Sequence, residues 1–199
     1  MQNPAENPAT NHDEREQAAA AWAADILGLE PLSLQPVSGD ASFRRYYRFQ
    51  ANGRSIVLMD APPDREDSAP FVDIAGRIRR AGLHAPNILE FDLEQGFGLL
   101  EDFGDTLYRE LIDEVTAERC FNDLFPLLAG FANDVDPGGL PPYDRDLLQT
   151  ELDLFTDWYL ARHKQRKLDT GEAQAWRETC RKLIGSALAQ PQVFVHRDF

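Results

Sequence analysis

Residues 43–59 read FRRYYRFQANGRSIVLM, and this stretch decides the first half of the fold. At its centre lies Asn52-Gly53, the strongest short signal for a two-residue β-hairpin turn. The runs on either side of this dipeptide have the character of strands, and similar runs occur before and after them. Strands are predicted at 32–37, 43–49, 54–59, 88–93 and 97–101. The pattern therefore predicts a five-stranded antiparallel sheet.

Segments with helical periodicity precede, interrupt and follow this predicted sheet. In the first of them, Asn11 and Glu14 are spaced as a capping box, and Gly28 marks the end. After Phe103 strands become rare, and Pro126 is expected to kink or split one of the helices that follow. Helices are predicted at 11–28, 68–81, 116–135, 144–163 and 170–188, and a short apolar strand at 193–195.

A β-rich half followed by a helical half predicts an α+β fold with two lobes. The sheet has one helix inserted after its third strand. We expect a disordered tail over 1–11, a β-rich lobe over 12–103 and a helical lobe over 104–199.

The composition limits the classes of partner. The 199 residues have a formal net charge of −14, which argues against nucleic acid because phosphate binding needs clustered Lys and Arg. Cys120 and Cys180 form neither a metal-binding spacing nor a disulfide framework, which fits a reducing cytoplasm. No apolar run approaches the roughly 20 residues of a membrane span, and residues 1–12 lack the features of a signal peptide. We therefore expect a cytoplasmic protein without a nucleic-acid or membrane partner.

The tripeptide His196-Arg197-Asp198 directly follows the last predicted strand. Kinase-like phosphotransferases place an aspartate there to orient the attacking hydroxyl and accept its proton. The alternative is a strand that ends in a polar turn. Because the tripeptide follows a β-rich lobe, a hinge-like segment and a helical stretch in that order, the sequence favours Asp198 as the catalytic residue.

Two segments of the β-rich lobe fit nucleotide binding. Ser38-Gly39-Asp40-Ala41-Ser42 joins two predicted strands with small residues at four of five positions, so that backbone N–H groups can approach phosphates. The alternative is an ordinary tight hairpin. The second segment, 99–104, ends the last strand of the lobe, where a kinase hinge offers backbone groups to adenine; here these would belong to Glu101 and Phe103. The alternative is a strand that ends at acidic residues followed by glycine.

Five stretches of the chain resemble one family. They are SGDASFRRYYRF (38–49), VLMDAPPD (57–64), GLLEDFGDTL (98–107), ELDLFTDWYL (151–160) and FVHRDF (194–199). They resemble the anomeric N-acetylmuramate/N-acetylglucosamine kinases of the aminoglycoside-phosphotransferase family, and the first two are the more specific to this branch. The resemblance implies a bilobal protein-kinase-like fold, ATP with Mg²⁺, and phosphorylation of an amino sugar at its anomeric hydroxyl during the recycling of cell-wall sugar.

The third predicted strand departs from the wider kinase pattern. Met59 stands where a kinase carries its phosphate-pairing lysine, and every lysine of this chain lies in the helical lobe. An arginine can supply the charge and a two-pronged contact to phosphate, and Arg44, Arg45 and Arg48 are the nearest. Strand alternation puts Arg45 on an apolar face with Tyr47, where an anionic partner is expected. The sequence selects Arg45 as the phosphate contact; the alternative is an arginine that reaches solvent at the sheet edge.

The predicted helix at 144–163 combines carboxylates with a tryptophan, which suits a sugar because hydroxyls need acceptors and ring faces stack on aromatic side chains. By resemblance, this helix lines the acceptor pocket. The alternative is an amphipathic helix with solvated acids and a core tryptophan. The predicted substrate-binding residues are Glu151, Asp153, Asp157 and Trp158.

In the wider family the catalytic loop continues with an asparagine, and a later aspartate holds Mg²⁺. Both positions would lie beyond Phe199, so we expect the chain to be the front part of such a kinase. We expect no metal ligand within it and no turnover by residues 1–199 alone. Two alternatives remain open: a kinase for an aminoglycoside, choline or another alcohol, and a pseudokinase or nucleotide-binding module, which the missing lysine suggests.

Overall fold

The structure, a computed structural model, describes residues 14–30, 32–37, 43–197 and 199, and the backbone of residues 8–13. The chain divides into two compact units, Met1–Val135 and Asp136–Phe199. The sequence predicts a lobe boundary at residue 103, which stays a prediction, and the predicted tail over 1–11 lies largely outside the described residues.

The first unit is built on the predicted five-stranded antiparallel sheet. Its strands lie in the order β1-β2-β3-β5-β4, and each neighbouring pair is antiparallel. Asn52 and Gly53 join β2 to β3 with φ angles of 50° and 74°, the left-handed conformation that this kind of tight hairpin requires. The strands are β1 (Gln35–Val37), β2 (Arg45–Ala51), β3 (Arg54–Asp60), β4 (Ile88–Asp92) and β5 (Phe97–Glu101).

Four helices accompany the sheet: α1 (Pro8–Leu27), α2 (Ala69–Arg80), α3 (Tyr108–Leu111) and α4 (Ala117–Asp134). The backbone of α1 begins three residues before the predicted cap at Asn11, since proline suits the first turn of a helix. The sequence pattern does not predict α3, a single turn too short to show periodicity. Pro126 lies inside α4 and does not split it.

Helices α1 and α2 cover opposite faces of the sheet. Ala19 of α1 packs with Tyr47, whereas Phe71 of α2 packs with Tyr46 and Met59. Successive strand residues point to opposite sides, so the sheet has an α1 face and an α2 face, and neighbouring residues of β2 belong to different ones.

The second unit contains α5 (Arg145–Leu154), a π-helix (Phe155–His163) and α6 (Thr170–Leu188). Asp144 caps α5 by accepting from two backbone N–H groups, and Asp169 caps α6 in a capping box. The sequence predicted one continuous helix over 144–163. Its second half is instead a π-helix, which places an extra residue in each turn and often occurs at functional sites.

The predicted strand at 193–195 is wrong, because these residues adopt no regular secondary structure. The described part of this unit offers no neighbouring strand with which they could pair. Phe194 is buried, and its neighbours Val193 and Val195 are exposed. Among the described helices of the whole chain, none is both long and apolar enough to cross a membrane.

Candidate functional site

Six of the predicted site residues lie outside the described residues. They are the loop residues Ser38, Gly39, Asp40, Ala41 and Ser42 and the catalytic candidate Asp198. Their roles stay predictions. Among the described residues, the candidate site contains three networks of charged side chains, two in the first unit and one in the second.

The first network lies at the end of the sheet where β2 begins and β3 ends. Arg45 is directly opposite Asp60 in the β2–β3 pairing, and its Nη2 lies 2.5 Å from Asp60 Oδ2. Arg15 of α1 donates to the other carboxylate oxygen, from Nε at 3.0 Å and from Nη2 at 2.6 Å. The Asp60 side chain is 0% exposed. The anionic partner expected for Arg45 is therefore a buried aspartate shared between two guanidinium groups.

The second network holds the predicted hinge. Arg48 donates to both carboxylate oxygens of Asp102, at 2.7 and 2.9 Å, and to both oxygens of Asp105, at 2.8 and 3.0 Å. The Ser55 hydroxyl and the Gly104 N–H also donate to Asp102, at 2.5 and 2.9 Å. These hydrogen bonds, those from Arg48 above all, hold the pKa of Asp102 at about 2. The chain that follows β5 is thereby tied to the β2–β3 hairpin.

Protonation of Asp102 is expected to weaken this hinge at acid pH. Because its folded pKa lies below the usual 3.8, the network stabilises the fold above about pH 4, and this contribution is lost as the pH falls through about 2. Replacing Asp102 by Asn should lower the free energy of unfolding by about 2 kcal/mol at pH 7, and most of this difference should be lost at pH 2. Urea unfolding at pH 7, 4, 3 and 2 measures this.

Asp64→Asn is the matched control, because the Asp64 side chain is 78% exposed. It should change neither the free energy of unfolding nor its pH dependence. A constant difference between Asp102→Asn and wild type across the pH range would contradict the prediction.

Glu101, a predicted adenine contact, is also fixed by its neighbours. Its backbone N–H donates to the Asn87 carbonyl at 2.9 Å, and its carboxylate accepts from the Asn87 N–H at 3.1 Å and lies 3.0 Å from His84 Nε2. Although burial opposes the shift, these contacts hold the pKa of Glu101 below its usual value. A backbone contact from Glu101 to adenine would therefore use its carbonyl oxygen. The Phe103 ring is 56% exposed and lies 4.9 Å from the His84 ring.

A cavity of about 780 Å³ opens at the hinge end of the sheet. Its size lies within the range of small-molecule sites, roughly 300–1,000 Å³. Apolar side chains of the sheet and polar groups of the hinge and of the segment after α2 share its wall. The lining includes Ala51, Ser55, His84, Leu100 and Glu101.

The third network lies in the second unit and includes Arg197, the residue before the predicted catalytic aspartate in the sequence. Glu151 Oε1 accepts from Arg197 Nη2 at 2.8 Å, and the Arg197 guanidinium lies 5.9 Å from the Tyr143 ring. Arg197 has a φ of 76°, a left-handed conformation that costs a residue with a side chain about 1–2 kcal/mol. Glu151 thus orients the residue that precedes Asp198 in the chain. Helical spacing did not predict this contact.

The other predicted substrate residues have separate surroundings. Asp153 accepts from the Gln149 amide at 2.8 Å. Asp157 lies in the π-helix, as does Trp158, which is 55% exposed and has the Arg162 guanidinium 3.9 Å from its ring centre. The roles of these residues in binding a sugar stay predictions.

Sequence comparison relates the chain to known enzymes. The sequence profile of the phosphotransferase enzyme family, APH, matches residues 33–199. The N-acetylmuramate/N-acetylglucosamine kinase of Pseudomonas aeruginosa is 47% identical over 169 residues, which cover 85% of this chain and 50% of that protein. The kinase of the same name from Pseudomonas putida is 40% identical over 198 residues, covering 94% and 58%. The chain thus spans between half and three fifths of the length of these relatives.

Structural comparison bears on the fold. A thermostable mutant of aminoglycoside phosphotransferase APH(4)-Ia, in a ternary complex with AMP-PNP and hygromycin B, matches with a TM-score of 0.57. The match covers 90% of this chain and 64% of that one at 17% sequence identity. It confirms the predicted α+β fold of the protein-kinase-like type.

Proposed function

Since this chain belongs to the phosphotransferase enzyme family, we propose that it is part of an ATP-dependent kinase for the anomeric hydroxyl of N-acetylmuramate or N-acetylglucosamine. The observation that carries the proposal is the 47% identity, over 85% of the chain, to a kinase named for these two sugars. The reaction belongs to the recycling of cell-wall sugar. Because it consumes ATP, we place the enzyme in the cytoplasm.

In the proposed reaction the anomeric oxygen of the sugar attacks the γ-phosphorus of ATP. A sugar O–P bond forms as the bond between this phosphorus and the bridging oxygen of ADP breaks. Asp198 orients the hydroxyl and accepts its proton. The two products are a sugar 1-phosphate and ADP.

The nucleotide is assigned to the first unit. Backbone N–H groups of the loop 38–42 bind the phosphates, and the backbone of Glu101 and Phe103 binds adenine. An arginine near the start of β2, either Arg44 or Arg45, completes the phosphate end. The Arg48–Asp102 network supports the adenine end, because it restrains the chain around Phe103.

The sugar is assigned to the second unit, where Asp153, Asp157 and Trp158 supply acceptors and a stacking surface. Glu151 supports the catalytic loop through Arg197. Mg²⁺ would neutralise the charge of the transferring phosphoryl group. Within the described residues no three His, Cys, Asp or Glu side chains converge on a site that fits a metal ion.

The test is an ADP-release assay on the protein at the full length of its relatives, with four acceptors: N-acetylmuramate, N-acetylglucosamine, an aminoglycoside and choline. We expect turnover with one or both amino sugars, accompanied by loss of reducing-sugar signal because anomeric phosphorylation blocks the reducing end. Residues 1–199 assayed in parallel should show no measurable turnover.

Each alternative has its own outcome in this assay. Turnover with the aminoglycoside or choline alone would assign the kinase to another acceptor. ATP binding without turnover on any acceptor would identify a pseudokinase. ADP release with an amino sugar whose reducing end stays intact would show that a different hydroxyl is phosphorylated.

A further inference from the structure

We infer that Arg44 contacts the phosphates of the nucleotide in place of the lysine that kinases carry at the position of Met59. The inference rests on the proposed function, because it requires a nucleotide bound to the first unit. The sequence pattern alone selects Arg45, whereas the partners of the two arginines favour Arg44.

The two arginines are neighbours in sequence and belong to different faces of the sheet. Arg45 lies on the α1 face with its guanidinium at Asp60. The Arg44 guanidinium lies 5.6 Å from the ring of Phe71, a residue of α2, and its Nε is 3.5 Å from Glu66 Oε2. Arg44 therefore belongs to the α2 face.

The α2 face is also the face of Met59. Phe71, which lies beneath the Arg44 guanidinium, packs in the cluster that contains Met59 and Tyr46, and these two residues are directly opposite each other in the β2–β3 pairing. A lysine at the Met59 position would extend from this same face. Arg44 thus brings a positive charge to the side of the sheet from which the kinase lysine acts.

Glu66 is the acidic partner of Arg44, as a glutamate is the partner of the kinase lysine. In protein kinases the strand lysine pairs with a glutamate of the helix that follows, and this pair must be in place for phosphoryl transfer. Glu66 lies three residues before α2, and one oxygen is near Arg44 while the other accepts the Phe43 N–H at 3.2 Å. The carboxylate therefore forms an ion pair with Arg44 and a hydrogen bond with the backbone of Phe43.

The other two arginines have positions that suit different roles. Asp60 is fully buried, so moving Arg45 towards a phosphate would leave this carboxylate with Arg15 alone. Arg48 lies on the α2 face but is held at the hinge by Asp102 and Asp105, at the end where adenine is expected. Arg44 immediately precedes β2, two residues after the loop 38–42.

The test compares how each variant of the full-length protein binds ATP and adenosine, measured by isothermal titration calorimetry. A phosphate contact affects ATP alone, whereas a structural role affects both ligands together. Arg44→Met should weaken ATP binding about 10-fold to 100-fold, the loss expected for hydrogen bonds to a charged group, and leave adenosine within about 2-fold of wild type. Arg45→Met should leave the ATP-to-adenosine ratio unchanged and lower the melting temperature.

Failure of the inference can be told from failure of the proposed function. If wild type binds ATP no better than adenosine, the proposed function loses its nucleotide site. If wild type prefers ATP and Arg44→Met keeps that preference, or Arg45→Met abolishes it, the inference is overturned while the function stands. Arg44→Lys covers the case in which Arg44→Met does not fold. Lysine keeps the positive charge but lacks the planar guanidinium group. The ratio of ATP affinity to adenosine affinity in Arg44→Lys should therefore lie between the wild-type ratio and a ratio of one.

Discussion

Replacing Asp198 by Asn is expected to lower kcat by about 10²-fold to 10⁴-fold, the range for removal of a general base, while ATP affinity stays near that of wild type. The carboxylate is assigned to the acceptor hydroxyl and not to the nucleotide. Its loss should therefore slow the chemical step and leave ATP binding unchanged. An amide cannot accept the proton, although it has nearly the same size. Steady-state kinetics with N-acetylmuramate and titration with ATP, both on the full-length protein, measure the two quantities.

Asp146→Asn is the matched control for this change. Asp146 is an exposed aspartate in the first turn of α5, in the same unit as the proposed catalytic loop. It should retain wild-type kcat and ATP affinity. Near-normal turnover by Asp198→Asn, or an equal loss in both variants, would remove Asp198 from the proposed mechanism.

Replacing Asp60 by Ala is expected to lower the free energy of unfolding by about 3–5 kcal/mol. The change removes the shared carboxylate and leaves two guanidinium groups close together, with side chains only 27% and 21% exposed for Arg15 and Arg45. Like charges with little access to water destabilise the fold, and the link between α1, β2 and β3 is lost as well. Urea unfolding at pH 7 measures the loss.

Asp64→Ala provides the control, because Asp64 is 78% exposed and its nearest ion-pair distance, to Arg65, is 3.8 Å. Such surface pairs contribute between zero and about 1 kcal/mol. In the double variant Asp60→Ala with Arg45→Met, part of the lost stability should return, since one of the two excess charges is removed. A similar small effect of Asp60→Ala and Asp64→Ala would show that the buried carboxylate contributes little.

Patterns that act over a few residues were sufficient for most of the secondary structure. The turn at Asn52-Gly53 requires positive φ at two successive residues, and few dipeptides accept this conformation. The predicted helix at 170–188 matches α6 (Thr170–Leu188), whose capping box joins Asp169 and Glu172. The strand predicted at 193–195 failed for the opposite reason, because pairing depends on a neighbour that a local pattern does not contain.

The residues of the candidate site could likewise be predicted from the sequence, but their charge partners could not. The stretches 38–49, 57–64 and 194–199 indicated the family. They also predicted a loop and an arginine that bind phosphate, and a catalytic aspartate. They did not show which arginine faces which side of the sheet. That choice depends on Asp60, 15 residues after Arg45, and on α1, whose Arg15 is 45 residues before Asp60.

The sequence by itself therefore determined the sheet, most of the helices and the family, because hydrophobic periodicity, turn conformation and motif spacing are properties of neighbouring residues. Only the tertiary structure decided the charge partners. Asp102 meets Arg48 across 54 residues, and Glu151 meets Arg197 across 46. A guanidinium group accepts any carboxylate within reach, and folding alone determines which carboxylate is within reach.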